Sequence, residues 1–298
     1  MKRFNFYIGM LISFTMVLTG CASSSGVQQA SSSVPEKSDQ KPVIAVTVVP
    51  EATFAKAVCG DYMEVMTAVP SGYSPETYEP TPKEKEELSR AALYFAVGVP
   101  VEESSILPAI ADLETIKVIR LQDAVSKEYP DRTFPSGERD PHIWLSPKRA
   151  KVMVETIARE CETVDPQHKA QYGQNAENYA KQLDSLDSDL KNIFSNMQNK
   201  SFLVFHPAFG YLAEDYGLTM YSLEEEGKEA TPQHLQEMVD LAKKQKIRAI
   251  FYQEEIDSKQ SQAFAEEIGG KTVELSPLAP DYVENLKKMA NTMVEAMK

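Results

Sequence analysis

The sequence has few cysteines and few histidines. Three cysteines and four histidines occur among its 298 residues, and no two cysteines have the C-x-x-C spacing of many zinc or redox sites. The helical metalloprotease motif H-E-x-x-H is also missing. A cysteine-based metal site and a zincin-type hydrolase therefore lack their motifs in this chain.

Positive charge is scarce as well. The chain has 31 Lys and Arg against 44 Asp and Glu, which gives a net charge of −13, and no basic stripe interrupts this balance. Such a surface repels nucleic acid and attracts cations weakly, so we expect no nucleic-acid partner. The hydrophobic fraction of 42% and the charged fraction of 25% are typical of a soluble globular protein, and the length allows two domains.

The longest apolar run lies at the N-terminus, from Phe4 to Leu18, and is too short for a comfortable membrane span. It follows Lys2 and Arg3 and ends in small residues before Cys21, which resembles a bacterial lipobox. In a lipobox the signal is cut before the cysteine, which then carries lipid. A plain signal peptide with a coincidental cysteine is the alternative. We predict a signal peptide over residues 1–20 and a flexible Ser-rich tether over residues 21–41.

Strand-like and helix-like segments alternate in two parts of the chain. The first part begins with the β-branched run Val43 to Val49 between two prolines, and the second begins with Ser201 to His206. Each part contains four strand–helix units, although only the pattern repeats and not the sequence. Such alternation predicts parallel sheets with helices on both faces.

A long amphipathic segment from Pro166 to Met197 separates the two parts. Its apolar residues recur three and four positions apart, Pro166 suits a first helical turn, and Asp165 suits an N-cap. An ordinary core or coiled-coil helix is one interpretation, but strand-rich sequence on both sides favours a rod between lobes. We predict an α/β fold with two lobes, each a mostly parallel four-stranded sheet with flanking helices, joined by one long rigid helix.

Three side chains fall where a parallel sheet would bind a ligand, beyond the carboxyl ends of its strands. Glu76 lies in a proline-rich loop after the second strand, His142 precedes a helix, and His206 ends a strand. The two lobes could bring them to one cleft, and imidazole with carboxylate suits zinc, manganese or iron(II). His168 and His234 begin predicted helices among polar neighbours and are interpreted as ordinary polar residues.

Several motifs resemble one known family, the metal-binding lipoproteins of ABC transporters, also called cluster A-I solute-binding proteins of the zinc/manganese type. They are Gly72–Pro82, Asp140–Pro147, Phe205–Leu218, Glu224–Leu235, Ile250–Gln260 and Leu275–Leu286. The resemblance implies a monomer with zinc or manganese held between two lobes. It also implies an extracytoplasmic protein, lipid-anchored to the bacterial cell membrane through Cys21, that delivers its metal to an ABC permease and is not an enzyme. Cell adhesion is a further role that the resemblance allows.

The resemblance also assigns metal ligands to individual residues of this chain. His142 and His206 match family ligands, whereas Glu76 stands where a histidine is usual and Ser276 where an aspartate is often found. Serine is a poor ligand for zinc, so we predict Glu76, His142 and His206 as ligands. The fourth place is left to water or another group, and the candidates are Gln253, Glu255 and Glu224 to Glu226. Glu76 as a surface residue beside an empty site is the alternative.

Zinc is the favoured metal and manganese the next, because two imidazoles and a carboxylate form a familiar zinc set while the carboxylate makes the site harder. We predict that the mature chain has three parts. They are an N-terminal metal-binding lobe over residues 42–164, a connecting helix over 165–198 and a C-terminal metal-binding lobe over 199–298. A membrane-tethered metallohydrolase with the same site, and a binder of an organic solute, are the alternative functions.

Cys59 and Cys161 are either buried free thiols or a single disulfide.

Overall fold

The fold consists of short parallel strands alternating with helices. The computed structural model describes residues 41–225, 227–255 and 259–298. The strands are β1 Val43–Val46, β2 Glu64–Thr67, β3 Leu93–Ala96, β4 Lys117–Arg120, β5 Ser201–Val204, β6 Thr219–Ser222, β7 Ala249–Gln253 and β8 Lys271–Leu275. The helices are α1 Val49–Cys59, α2 Pro82–Leu88, α3 Leu107–Ile110, α4 Leu121–Val125, α5 Pro147–Val164, α6 Lys169–Ser195, α7 Gly210–Tyr216, α8 Pro232–Gln245, α9 Lys259–Glu267 and α10 Tyr282–Ala296.

The eight strands form two parallel four-stranded sheets with the same internal topology. The first sheet has the order β2-β1-β3-β4 and the second the order β6-β5-β7-β8. Each sheet with its flanking helices is called a lobe below. The repeated strand order confirms the two-lobe α/β fold that the alternating pattern predicted.

Helix α6 connects the two lobes and contacts both of them. It buries one apolar stripe, which includes Tyr172, Leu183 and Leu190, and it packs against α1, α5 and α10. The largest hydrophobic cluster runs without a break from Val43 in the first lobe to Met293 in α10. Because one core spans both lobes, the described residues form one compact unit. The predicted long helix is therefore confirmed.

Some predicted details differ from the structure. Asp165 makes no capping hydrogen bond, because its carboxylate instead accepts from His168 Nδ1 at 2.5 Å and the Tyr172 hydroxyl at 2.7 Å. Helix α4 was missed, since it follows β4 directly and is too short to show a helical period. The helical segment after β3 begins as a π-helix, Glu102–Ile106, and continues as α3.

The predicted signal peptide, nearly all of the tether and Cys21 lie outside the described residues, so those assignments stay predictions. Over the ranges that the structure describes, no helix has both the length and the hydropathy that crossing a bilayer requires.

Two buried glutamates bind backbone N–H groups at the carboxyl ends of β1 and β3. Glu51 accepts hydrogen bonds from the backbone N–H of Thr47 and of Val48, at 3.0 and 2.9 Å. Glu102 accepts from the backbone N–H of Val97 at 2.9 Å and of Gly98 at 2.8 Å, and from the Thr47 hydroxyl. Burial raises the pKa of Glu102 to about 7, and burial and the charge of Glu102 raise the pKa of Glu51. Both carboxyls therefore favour protonation in the folded state.

This pair predicts that the free energy of unfolding decreases with rising pH. The folded pKa of Glu102, about 7, lies above its ordinary value of 4.5, so its stabilising contribution is complete below the ordinary value and is lost as pH rises through 7. We expect Glu102→Gln to reduce this decrease, measured by urea unfolding at several pH values from about 5 to about 8. The matched control is Glu103→Gln at an exposed neighbour. Equal pH slopes in both variants would contradict the prediction.

Candidate metal centre

The structure brings Glu76, His142 and His206 together between the two lobes. One ligand atom from each lies within 4.8 Å of the others, and no other such cluster of three occurs within the described ranges. The two Nε2 atoms of the imidazoles are 3.2 Å apart, and each is 3.9 Å from Glu76 Oε1. Both histidines are buried and Glu76 is half-buried. The three predicted ligands therefore converge on one point.

Each of these side chains is placed by the end of a strand or by a turn. Glu76 lies in the loop after β2, where its backbone N–H donates to Ser74 Oγ at 3.2 Å. His142 directly precedes a 3-10 turn, Ile143–Leu145. His206 follows β5, whose ladder continues through a 2.7 Å hydrogen bond between the Phe205 N–H and the Phe251 carbonyl. The first lobe supplies two of the three groups and the second lobe supplies the third.

Carboxylates on the far side of both rings fix which imidazole nitrogens carry protons. Asp140 Oδ1 lies 2.8 Å from His142 Nδ1, and Glu224 Oε2 lies 2.7 Å from His206 Nδ1. A carboxylate accepts, so each Nδ1 carries a proton and donates it. The two Nε2 atoms face each other across 3.2 Å. A divalent cation placed between them would be bound by both rings.

The carboxylate behind His142 pairs with Arg132, and the second lobe contacts the backbone of both residues. Asp140 is fully buried, and its Oδ2 forms an ion pair with Arg132 Nε at 3.2 Å. The Tyr211 hydroxyl on α7 accepts from the Arg132 backbone N–H at 2.9 Å and donates to the Asp140 carbonyl at 3.1 Å. A Cβ at Gly210 would lie 2.1 Å from Arg132 Nε and 2.7 Å from Asp140 Oδ2. Only glycine therefore lets α7 approach this ion pair so closely.

Asp140→Asn is expected to weaken binding of a divalent cation by about 10–100-fold. The amide no longer orients His142 as strongly and no longer increases the basicity of its ring. Competition titration with a chromophoric zinc chelator measures the effect. Asp131→Asn is the matched control, since Asp131 lies in the same loop and pairs with Arg139 instead. Equal affinities in both variants would contradict a role for Asp140 in orienting the ligand.

The cavity at this cluster is small. It has a volume of about 10 Å³ for the centre of a water-sized sphere. Its lining residues are Ser74, Pro75, Glu76, His142, Trp144, His206, Gln253, Pro277 and Leu278. About one sphere of that size corresponds to a single water or ion. Pockets for organic ligands generally measure about 300–1,000 Å³, so the space fits an ion and not an organic solute.

The candidates for a fourth ligand differ in whether they line this cavity. Gln253 lines the cavity, whereas Ser276 lines a different pocket beside Asn285, and Glu255 lines neither. Glu224 binds the far side of His206 and does not face the cavity. Glu225 lies 3.8 Å from His234, away from the cluster, and Glu226 lies outside the described residues.

The other two histidines do not join the cluster. His168 Nδ1 is bound to Asp165, and His234 Nε2 lies 3.0 Å from the Ser222 carbonyl oxygen. Sequence reasoning missed Asp140 and Arg132 behind His142. The Asp-Pro-His spacing carried a signal for Asp140, since a carboxylate two residues before a ligand can reach its Nδ1. Nothing in the sequence indicated Arg132.

A comparison with protein families matches residues 44–296 to ZnuA, described as the periplasmic component A of the zinc-uptake complex. The match covers nearly the whole of the described chain. The chain belongs to this family. The resemblance to metal-binding lipoproteins of ABC transporters is thereby confirmed.

Relatives and solved structures of the ZnuA family agree with this assignment. The chain is 30% identical over 276 residues to the high-affinity zinc uptake system protein ZnuA of Bacillus subtilis (strain 168), covering 88% of this chain and 85% of that protein. It is 26% identical over 263 residues to the manganese ABC transporter substrate-binding lipoprotein PsaA of Streptococcus mitis, covering 84% and 82%. A crystal structure of ZnuA superposes with a TM-score of 0.81 at 32% identity, covering 87% of this chain and 100% of that one.

Proposed function

We propose that this chain is the extracytoplasmic substrate-binding component of an ABC transporter. It captures one divalent cation between its lobes through Glu76, His142 and His206, and it delivers the cation to a membrane permease. The observation that carries the proposal is the pair of facing Nε2 atoms, 3.2 Å apart, with a carboxylate oxygen 3.9 Å from each. A cation bound by all three groups holds a ligand from each lobe.

Zinc is the favoured cation and manganese the alternative. Two imidazoles and one carboxylate form a familiar zinc set, and the two Nε2 atoms, 3.2 Å apart, are close enough to bind one ion. The relative that is 30% identical bears a zinc-uptake name, and PsaA of Streptococcus mitis, 26% identical, bears a manganese name. Manganese prefers oxygen donors, so Glu76 in place of a histidine leaves it as a competitor.

The location follows from the predicted N-terminal segments. Residues 1–20 act as a lipoprotein signal peptide, and Cys21 anchors the mature protein to the cell membrane. Residues 21–41 form the tether, and the metal-binding lobes cover residues 42–164 and 199–298, with the connecting helix over 165–198. The protein acts as a monomer beside its permease. The relative from Streptococcus mitis is named a lipoprotein, which supports an anchored location.

The two alternative functions have less support. Members of this family and the relatives of this chain are substrate-binding proteins of transporters and not enzymes, which argues against a metallohydrolase. An organic solute does not fit a cavity of about 10 Å³. Adhesion rests only on a solved relative, a laminin-binding protein of Streptococcus agalactiae at 26% identity whose title names both adhesin and metal-transporting activity.

The metal content of purified residues 42–298 tests the proposal, followed by titration of the metal-free form with zinc and with manganese. We expect one equivalent of tightly bound metal. Glu76→His is expected to raise the preference for zinc over manganese, because a nitrogen replaces an oxygen donor. The matched control is Glu79→His in the same loop, where the side chain is exposed. Absence of binding at micromolar metal would contradict the proposed function.

A further inference from the structure

We infer that the side-chain amide of Gln253 supplies the fourth ligand of the cation, a role that rests on the proposed function. Gln253 ends β7, beside Leu275 of β8, and only 7% of its surface is exposed. Its side chain lines the same small cavity as the three proposed ligands. Its Nε2 atom is buried and has no hydrogen-bond partner among the described residues. A buried polar group without a partner is a feature that needs a ligand to explain it.

The amide can present either of its ends to the cavity. Rotation by half a turn about its last side-chain bond exchanges the oxygen and the nitrogen. With the oxygen directed to the cavity, its lone pairs would be satisfied by a cation. A carbonyl oxygen is a ligand that suits hard divalent cations such as manganese, and it brings no charge. The first coordination sphere would then contain two nitrogens and two oxygens.

The size of the cavity favours direct contact over contact through water. Its volume of about 10 Å³ admits one water-sized object, which is the cation itself. Ser276, the position at which the family often has aspartate, lines a different pocket. Gln253 is therefore the one described candidate that reaches the cavity without already being assigned as a ligand. Its neutrality also leaves Glu76 as the single anionic ligand, which eases release of the cation.

The test compares Gln253→Leu and Gln253→Glu with the parent protein, using zinc, manganese and cobalt(II). Leucine removes the donor and keeps the bulk, so we expect manganese affinity to fall by about 10-fold or more and zinc affinity to fall less. The visible absorption of the cobalt(II) form should also change, because it reports the ligands directly. Glutamate supplies a charged oxygen at the same place and should restore or increase the affinity for manganese. Ser276→Ala is the control and should change neither quantity.

The experiment distinguishes failure of this inference from failure of the proposed function. If the parent protein binds one equivalent of metal and Gln253→Leu has the same affinities and the same cobalt(II) spectrum, Gln253 is not a ligand and the inference is wrong. If the parent protein binds no metal, the proposed function itself fails. Gln253→Glu retains the length and shape of the side chain, so it remains informative if Gln253→Leu does not fold.

A second and independent observation concerns the two cysteines of the lobes, for which we propose a disulfide. Cys59 ends α1 and Cys161 lies in α5, both are fully buried, and their sulfur atoms are 3.4 Å apart. Both are free thiols in the structure, and a disulfide requires the two sulfurs to approach to about 2.0 Å. The bond would join segments that are 102 residues apart in the chain. Exported proteins fold where such bonds persist.

The reaction is a two-step thiol–disulfide exchange with a disulfide oxidant, either a protein oxidase or a small-molecule disulfide. The thiolate of Cys59 attacks one sulfur of the oxidant and forms a mixed disulfide, which releases the other sulfur as a thiolate. The thiolate of Cys161 then displaces the remaining sulfur of the oxidant. The protein loses two protons and two electrons, and the oxidant gains both as two thiols. Because both sulfurs are buried in the folded protein, the bond forms during folding.

Refolding of purified residues 42–298, which contain Cys59 and Cys161 but not Cys21, with oxidised glutathione tests this proposal. We expect an intact mass that is lower by two hydrogens, loss of both alkylatable thiols after denaturation, and a higher urea midpoint than in the reduced protein. Cys59→Ser should show no dependence of the urea midpoint on the redox state. Cys161→Ser repeats this control with the partner sulfur removed. Two thiols that remain fully alkylatable after such refolding would overturn the proposal.

Discussion

His206→Ala is expected to abolish tight binding of the divalent cation, with an affinity loss of at least about 100-fold. His206 is the one proposed histidine ligand of the second lobe, and it is placed by the strand β5 that precedes it. Its removal leaves Glu76 and His142, both from the first lobe, and leaves Glu224 without the ring that it binds. Competition titration of the metal-free protein measures the affinity.

The same variant has a second expected result in thermal unfolding. A cation that binds only the folded state stabilises it by about 4 kcal/mol when its concentration is 1,000 times the dissociation constant. The parent protein should therefore unfold at a higher temperature when zinc is added, and His206→Ala should not. His168→Ala is the control, since His168 binds Asp165 and lies outside the cluster. A zinc-dependent shift that persists in His206→Ala would place the cation elsewhere.

The fold was predictable because its signals are local. The β-branched run of β1 lies between two prolines, and helix α6 carries an apolar stripe that needs no knowledge of its neighbours. The three proposed ligands were also predictable, because the topology of parallel sheets gathers the loops that follow strands at one edge. The resemblance of the surrounding motifs then assigned His142 and His206 as ligands and showed that Glu76 departs from the usual pattern.

The groups behind the proposed ligands could not be predicted, because their contacts join distant parts of the chain. Gly210 lies close to the ion pair of Arg132 and Asp140, and no period or spacing connects α7 with that loop. The same holds for Gln253, which the sequence did not distinguish from Glu255 or Glu224 to Glu226 as a candidate for the fourth ligand, whereas the structure places it at the cavity. Sequence patterns indicate which element a residue belongs to, but a close packing contact depends on the full set of neighbouring side chains.

Asp215→Ala is expected to lower the free energy of unfolding by about 3–5 kcal/mol. Asp215 lies in α7 of the second lobe, and its side chain is 2% exposed. Its Oδ1 binds Arg149 Nη1 at 3.0 Å, and its Oδ2 accepts from the Ser146 hydroxyl at 2.5 Å, both at the start of α5. The Arg149 side chain is 1% exposed and lies over the Tyr211 ring, 4.4 Å from its centroid. Removing the carboxylate leaves the buried guanidinium with only the more distant Glu214 Oε1, at 3.7 Å, as an anionic partner.

Urea unfolding of metal-free protein measures this loss, and Glu177→Ala is the control. Glu177 pairs with Lys181 on the exposed face of α6, where solvent screening leaves an ion pair with little effect on stability. The Asp215 contacts join α7 to α5, and α7 also holds the Asp140 loop through Tyr211. Loss of the contacts between α7 and α5 should therefore weaken cation binding as well, although Asp215 is not a proposed ligand. A variant with lower stability but unchanged affinity would show that α7 stabilises the lobes without positioning His142.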